Sequence, residues 1–299
     1  DLEIVDNCLK SIVIERNNRK EKMNADKLVL AIGHSARDSY EMLYQRGLDI
    51  SQKSFAVGLR IEHLQSFINW HQYGKMANHQ CLPTADYKLA VKTSSGRGVY
   101  TFCMCPGGRV INSSSEVGGV VVNGMSNQAR DDKNANSAIL VTVGPEDFDS
   151  DHPLAGVSFQ RQLEKKAFEL GGGNYQVPVM RVEDYLENKI GLSMDQVTCS
   201  VLPQVKYANL NELFPKNIND SLKEGLVLMN QKFSGFTTQA MLSGVESRSS
   251  SPVRFYRDEN FESNIKNIYP IGEGAGYAGG IMSSAIDGLK CSEMLLKSE

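Results

Sequence analysis

Five glycines fall within nine residues, Gly272, Gly274, Gly276, Gly279 and Gly280, in the stretch N-I-Y-P-I-G-E-G-A-G-Y-A-G-G-I-M-S-S-A-I-D-G. Residues without a Cβ let backbone N–H groups approach a ligand that side chains would block, and a helix that follows turns its positive end toward that ligand. Gly274, Gly276 and Gly279 satisfy the dinucleotide pattern G-x-G-x-x-G. A complete dinucleotide unit also needs a second parallel strand, with an acidic residue about 20 positions on for the ribose hydroxyls. The sequence reaches Glu299 before that strand. Two readings stay open: the closing strand and helix of a nucleotide-binding sheet, or a glycine turn of another kind.

Other residues offer chemistry of different kinds. Cys103 and Cys105 stand two apart in F-C-M-C-P-G-G, and on a regular strand they share a face. Such a pair can form a strained disulfide, bind a soft metal or attack a substrate, or it can be two small buried hydrophobes. Arg109, Arg130, Arg248, Arg254 and Arg257 suit an anionic substrate or a nicotinamide phosphate. The structural alternative is ion pairing with Glu62, Glu116, Glu246 or Asp258. Arg60 and Glu62 share one strand face and His63 the other, which reads His63 as structural. His34 follows a glycine corner and either approaches a ligand or closes its own turn. Tyr277 stacks on a ring or fills space beside it.

The elements that must hold these residues follow from periodicity. Residues 11–16 read as a strand, 17–22 as a polar turn and 25–32 as a second strand, ending at Gly33 before a helix over 39–46 capped by Ser35 or Asp38. Residues 268–271 form the strand before the glycines. Two strand-to-glycine-to-helix corners at opposite ends of one chain point to two strands of one sheet, with everything between them inserted. The insertion reads as a strand at 54–63, a short helix at 64–73 and strands at 87–92, 99–105, 109–115, 119–123 and 138–143, a meander or barrel. Helices follow at 158–170, 182–188, 210–214 and 218–233, then strands at 240–246 and 253–256. Gly171-Gly172-Gly173 stops a helix.

With 299 residues, 22% charged, 41% hydrophobic and a net charge of −3, the composition is that of a globular protein of about two domains. It gives no electrostatic reason to expect nucleic acid or an anionic membrane. No run of about 18 apolar residues and no signal peptide is present, so a cytoplasmic location is expected. The spacing of the six cysteines matches no zinc site or disulfide framework. The chain opens at Asp1 and reads as a fragment or processed product.

Taken together, L-V-L-A-I-G-H-S-A-R-D, F-A-V-G-L-R-I-E-H, F-C-M-C-P-G-G, V-N-G-M-S, G-V-E-S-R-S-S-S-P-V-R and G-E-G-A-G-Y-A-G-G-I-M-S-S-A-I-D-G resemble a family of FAD-dependent dehydrogenase-like proteins of unassigned substrate, relatives of the glutathione-reductase-type flavoproteins. The resemblance runs from about Ala25 to the C-terminus. It implies the C-terminal part of a larger flavoprotein whose N-terminal βαβ unit, which holds the ADP half of FAD, lies outside this chain. The implied fold is α/β and α+β: a partial FAD-binding domain at residues 1–50 and 258–299, and an inserted substrate or cap domain at 51–257 built of antiparallel sheet or barrel plus helices. Ala31, Ile32 and Gly33 then resemble the family's second flavin-contact strand. Gly272, Glu273 and Gly274 resemble the turn beside the ribityl and pyrophosphate groups, where relatives more often carry Asp than Glu. Gly276 belongs to the same turn, and Gly279, Gly280 and Ile281 would start the helix whose N-terminus faces the flavin pyrimidine.

The resemblance implies an FAD-dependent oxidoreductase, with NADH or NADPH as a candidate electron donor, a small-molecule substrate that Arg109, Arg248 and Arg254 would suit if anionic, and no resident metal. The 299-residue piece itself is expected to bind FAD weakly or not at all. Catalytic candidates are Cys103, Cys105 and His34. The alternatives are a non-catalytic flavin-binding or thiol redox-sensing module, and a purely structural domain.

Overall fold

The computed structural model describes residues 1–189 and 199–297. Two compact units emerge, one formed by Asp1–Phe55, Val143–Phe159 and Arg248–Glu299, the other by Ala56–Thr142 and Gln160–Ser247. Among the described residues no helix is long and apolar enough to cross a membrane.

In the first unit the strands Leu28–Leu30 and Ile268–Pro270 pair in parallel, Ile268 opposite Leu28 and Pro270 opposite Leu30. The two strands that run into glycine corners therefore share one sheet, as the sequence leads one to expect, and are neighbours in it. Parallel neighbours need a long crossover, and here most of the chain supplies it. Leu43, Ile50, Val253, Phe255, Ile265 and Ile268 form a buried core with Tyr40; burial of each such aliphatic side chain contributes about 1.5–3 kcal/mol. Helix Ile281–Lys297 follows the second corner. Its buried residue is Cys291, which packs with Tyr269 and Ile271, while Ile281, Met282, Ile286, Leu289 and Leu296 form an exposed apolar stripe with Ile281 90% exposed.

Several local expectations need correction in this unit. The polar turn read over residues 17–22 is only Asn17 and Asn18, both in left-handed backbone with φ of 53° and 60°. That geometry suits a two-residue hairpin, and strand Arg19–Asn24 follows at once, pairing with Cys8–Arg16. The strand read over 25–32 is only Leu28–Leu30. Helix Arg37–Gln45 starts two residues earlier than expected, with Ala36 at its N-cap position and no side-chain cap; Asp38 instead accepts from the N–H of Ser39. Strands Leu2–Val5 and Ile50–Gln52 are additional.

The second unit is built on an open seven-stranded sheet in the order Val205–Tyr207, Val177–Arg181, Met241–Glu246, Phe55–Leu64, Asn134–Val143, Gly98–Cys105, Ala90–Lys92. Of the alternatives meander sheet or barrel, the sheet is the one formed. Val177–Arg181 pairs in parallel with Val205–Tyr207 and antiparallel with Met241–Glu246. The long strand Phe55–Leu64 is buried at every residue but its last. Gly58 lets it lie close to its neighbour, since a Cβ there would meet the Ile139 carbonyl oxygen at 1.9 Å. Helices Gln65–Tyr73, Ala155–Leu170, Val182–Glu187 and Lys216–Lys232 fall where periodicity places them. The segment read as a helix at 210–214 is a single 3₁₀ turn, Leu210–Glu212. A separate hairpin pairs Gly108–Asn112 with Val122–Ser126.

Candidate functional site

In the first unit the two glycine corners touch. A Cβ on Gly274 would meet the O, C and N of Gly33 at 2.4, 2.7 and 2.8 Å, so only glycine allows this approach. The phenol of Tyr40, from helix Arg37–Gln45, is fully buried and lies 3.0 Å from the Gly33 carbonyl and 2.9 Å from that of Gly274. Its one proton is shared between these two acceptors, which clamps the corners together. Ser251 reinforces the clamp by donating to the carbonyls of Val253 and Gly274 at 3.0 and 3.2 Å. Burial pushes the Tyr40 hydroxyl up to about 12, against a smaller opposing effect of its contact with Ser251.

A second set of contacts fixes the turn against the helix that follows. Asp287 accepts the N–H of Gly272 at 2.7 Å and both terminal nitrogens of Arg257 at 2.9 and 2.7 Å. Arg257 also donates to the Pro270 carbonyl at the strand end. Hydrogen bonding from Arg257 is the main cause holding the Asp287 carboxyl below its ordinary value; burial opposes it and the Gly272 N–H adds to it. Gly272 and Gly276 have φ of 73° and 85°, a region glycine enters without steric cost. Tyr277 is flanked by two guanidinium groups, Arg257 at 3.6 Å and Arg254 at 4.7 Å from its ring centre, and Arg254 donates to the Gly276 carbonyl. Tyr277 thus packs on cations, and Arg254 and Arg257 shape the glycine turn.

The polar groups at the corners are His34 and Glu273, whose Nδ1 and Oε1 lie 3.2 Å apart. Burial lowers the His34 pKa; the Glu273 charge pulls it up, and Arg248 and Arg37 push it further down. His34 is also hydrogen-bonded to the backbone of Arg248. Lys53 is lowered by burial and by Arg254, with Glu273 opposing. At Gly33, Gly279 and Gly280 a Cβ would meet nothing within 4 Å, so the backbone at these positions borders open space. Ala31, Gly279 and Ile281 are exposed and Ile32 and Gly280 half-buried. The arrangement offers a ligand bare peptide edges, the N-terminus of a 17-residue helix, one carboxylate held by a histidine, and several cations.

The structure brings together Ala31, Ile32, Gly33, His34, Arg248, Arg254, Gly272, Glu273, Gly274, Gly276, Gly279, Gly280 and Ile281 in the first unit. Arg109, Cys103 and Cys105 belong to the second. Arg109 is paired with Asp132 through two nitrogens, a partner none of the sequence alternatives named. The expectation that Cys103 and Cys105 share a strand face fails, because the strand bulges: pairing to the neighbouring strand shifts between Asn136 and Ala138 and Cys103 has a φ of 44°. Arg60, fully buried, bonds Glu246 at 2.6 Å and Asn136 at 2.6 Å; the sequence reading offered Glu246 to other arginines and not to Arg60. Glu62 is turned to Asn134, Cys199 and Ser200, and burial raises its pKa. His63 Nε2 bonds the Phe236 carbonyl at 2.7 Å among aromatic rings, a structural histidine. Sequence reasoning gave no role to Tyr40, Lys53 or Asp287, although Asp287 lies within the 272–288 motif, on the helix that follows the glycine turn.

A family model described as "FAD-dependent protein, C-terminal domain-like" matches residues 54–249. That stretch contains the whole of the second unit and leaves the Gly272–Gly280 turn outside it. A protein of Clostridium beijerinckii described as uncharacterized is 46% identical over 295 residues, covering 98% of this chain and 55% of that protein. The chain therefore spans about half the length of the curated relative it matches.

Proposed function

We propose, from the premise that this chain belongs to the family of FAD-dependent proteins that share this C-terminal domain, that the complete protein is an FAD-dependent oxidoreductase of the cytoplasm and that the two glycine corners form the flavin-facing half of its cofactor site. In this reading residues 1–50 and 258–299 are part of the FAD-binding domain, and residues 51–257 form an inserted domain that shapes the substrate pocket. Ala31, Ile32 and Gly33 from one corner, and Gly272, Glu273, Gly274 and Gly276 from the other, would hold the flavin. Gly279, Gly280 and Ile281 would present the helix N-terminus.

The observation that supports the reading most is the contact of Gly33 with Gly274 at the ends of two parallel strands, beside backbone that opens to space at Gly33, Gly279 and Gly280. Ligands of open parallel sheets bind at the carboxyl ends of strands, and these residues are at such ends. The bound flavin would supply hydride or electron transfer; the chain's own residues position and tune. Glu273 would accept hydrogen bonds from the ribityl hydroxyl groups, with His34 fixing its orientation. The helix dipole favours negative charge at its N-terminus. Tyr40, Ser251 and Asp287 hold the corners in register. The exposed apolar stripe of helix Ile281–Lys297 supports further chain of the longer protein packing there, including a βαβ unit for the ADP half of the cofactor.

The test is anaerobic titration of the complete, FAD-loaded protein with NADH and with NADPH. Bleaching of the flavin by either supports a dehydrogenase using that donor. A loaded protein that neither donor reduces overturns the nicotinamide part of the reading, and Glu273→Ala with FAD affinity unchanged overturns the assignment of that carboxylate.

A further inference from the structure

We propose that Cys103 and Cys105, in the second unit, are a redox-active dithiol that exchanges with small-molecule disulfides, independently of the flavin reading. All six cysteines are thiols, but only these two are close in sequence, and three observations single them out.

The first is the shape of the strand. Two residues along a regular strand span about 6.7 Å, near the upper limit for the Cα separation of a disulfide. The bulge at Cys103, with its φ of 44° and the shifted register opposite it, bends the chain and departs from that extended spacing. Phe102 and Cys103 are both exposed where alternation would bury one of them.

The second is the direction of the Cys105 side chain. Its Sγ lies 3.4 Å from the carbonyl oxygen of Cys103, so the sulfur is turned back along the strand toward its neighbour. The third is Arg60. Its Nη2 donates to the Cys103 carbonyl at 2.5 Å and contacts Cys105 Sγ at 3.5 Å, tying both residues to one buried cation. Arg60 is itself held by Glu246 and Asn136. Gly124 makes room for it, since a Cβ there would meet Nη2 at 2.1 Å. The guanidinium is thus fixed before any ligand arrives.

The remaining cysteines lack this setting. Cys8, Cys81, Cys199 and Cys291 have no cysteine within two residues in sequence, and Cys199 faces Glu62 at 3.4 Å, where burial and then the Glu62 charge push its thiol far up. Among the described residues no group of three His, Cys, Asp or Glu side chains could hold a metal ion.

The exchange has two steps. Exposed Cys103, as the thiolate, attacks one sulfur of a disulfide R–S–S–R; a Cys103–S–S–R bond forms and R–S⁻ leaves to take up a proton. Cys105, as the thiolate, then attacks the Cys103 sulfur, forming the Cys103–Cys105 disulfide and expelling the second R–S⁻, which is protonated. The two protein thiols lose two electrons and two protons, and R–S–S–R becomes two R–SH. The reverse sequence reduces the protein.

The test equilibrates the complete protein in glutathione mixtures of increasing oxidised fraction, followed by acid quench, alkylation and peptide mapping. The expected result is loss of alkylation at both Cys103 and Cys105 in one step, with their peptide lighter by two hydrogens, while Cys81 stays alkylatable or carries glutathione alone. Cys105→Ser, and Cys105→Ala if the first misfolds, should trap glutathione on Cys103. The proposal is overturned if both thiols remain alkylatable across the range, if wild-type Cys103 accumulates glutathione without an internal disulfide, or if a folded Cys105 variant takes no glutathione on Cys103.

Discussion

Replacing Gly274 by alanine tests whether the contact of the two corners organises the first unit. The new methyl would lie 2.4 Å from the Gly33 oxygen and 2.7 and 2.8 Å from its C and N, distances at which something must move. Overpacking against side chains costs about 1–3 kcal/mol; here the obstacles are backbone atoms and cannot rotate away. Separation of the corners would also stretch the Tyr40 hydroxyl from its two acceptors at 3.0 and 2.9 Å, about 1 kcal/mol for each bond lost. A local destabilisation of about 3–5 kcal/mol follows. Amide hydrogen exchange reports it where it occurs: residues 28–33 and 268–276 should exchange at least about a hundredfold faster, because each 1.4 kcal/mol of opening free energy is about tenfold. Gly279→Ala is the control. Nothing lies within 4 Å of its Cβ position, so stability should stay within about 0.5 kcal/mol. Exchange in Gly274→Ala indistinguishable from wild type would refute the reasoning.

Three further outcomes are expected. Glu246→Gln leaves the fully buried Arg60 charge without its counterion and should cost about 3–5 kcal/mol in urea unfolding; an unchanged midpoint would contradict the pairing. Burial lowers His63 to about 4 from an ordinary 6.5, so the unfolded chain binds the extra proton between those values and stability falls as pH drops through that window, by up to about 3 kcal/mol. His63→Phe should remove that slope. Asp287 is depressed in the folded state, so its contribution is complete above the ordinary aspartate value of about 3.9 and is lost as pH falls through the lower folded value; acid unfolding of Asp287→Asn should lack this loss, and identical acid profiles would count against the Arg257–Asp287–Gly272 link.

What was legible in the sequence is what glycine and periodicity report locally. The corner at 272–280, the helix after it and the second corner at Gly33 could be read because glycine spacing and apolar runs are short-range signals, and their likeness pointed to two strands of one sheet. The contact of Gly33 with Gly274 could not, because it depends on a tyrosine from a helix and on residues far apart in the chain. Cys103 and Cys105 were misplaced for a related reason: strict alternation assumes an unbroken ladder, and a bulge is decided by the partner strand. Arg109 pairs with Asp132, a carboxylate outside the quoted motifs, so a reading confined to those motifs did not name it. The strands Val177–Arg181 and Val205–Tyr207 escaped notice because the first carries a proline and the second has only three residues.

The most direct measurement is the flavin content of the complete protein beside that of this 299-residue chain. The complete protein should purify yellow, or become so with added FAD, at one flavin per chain, and Gly279→Val should lower FAD affinity while leaving the fold intact. The 299-residue chain should hold little or none. A complete protein that is colourless and takes up no FAD would contradict the account.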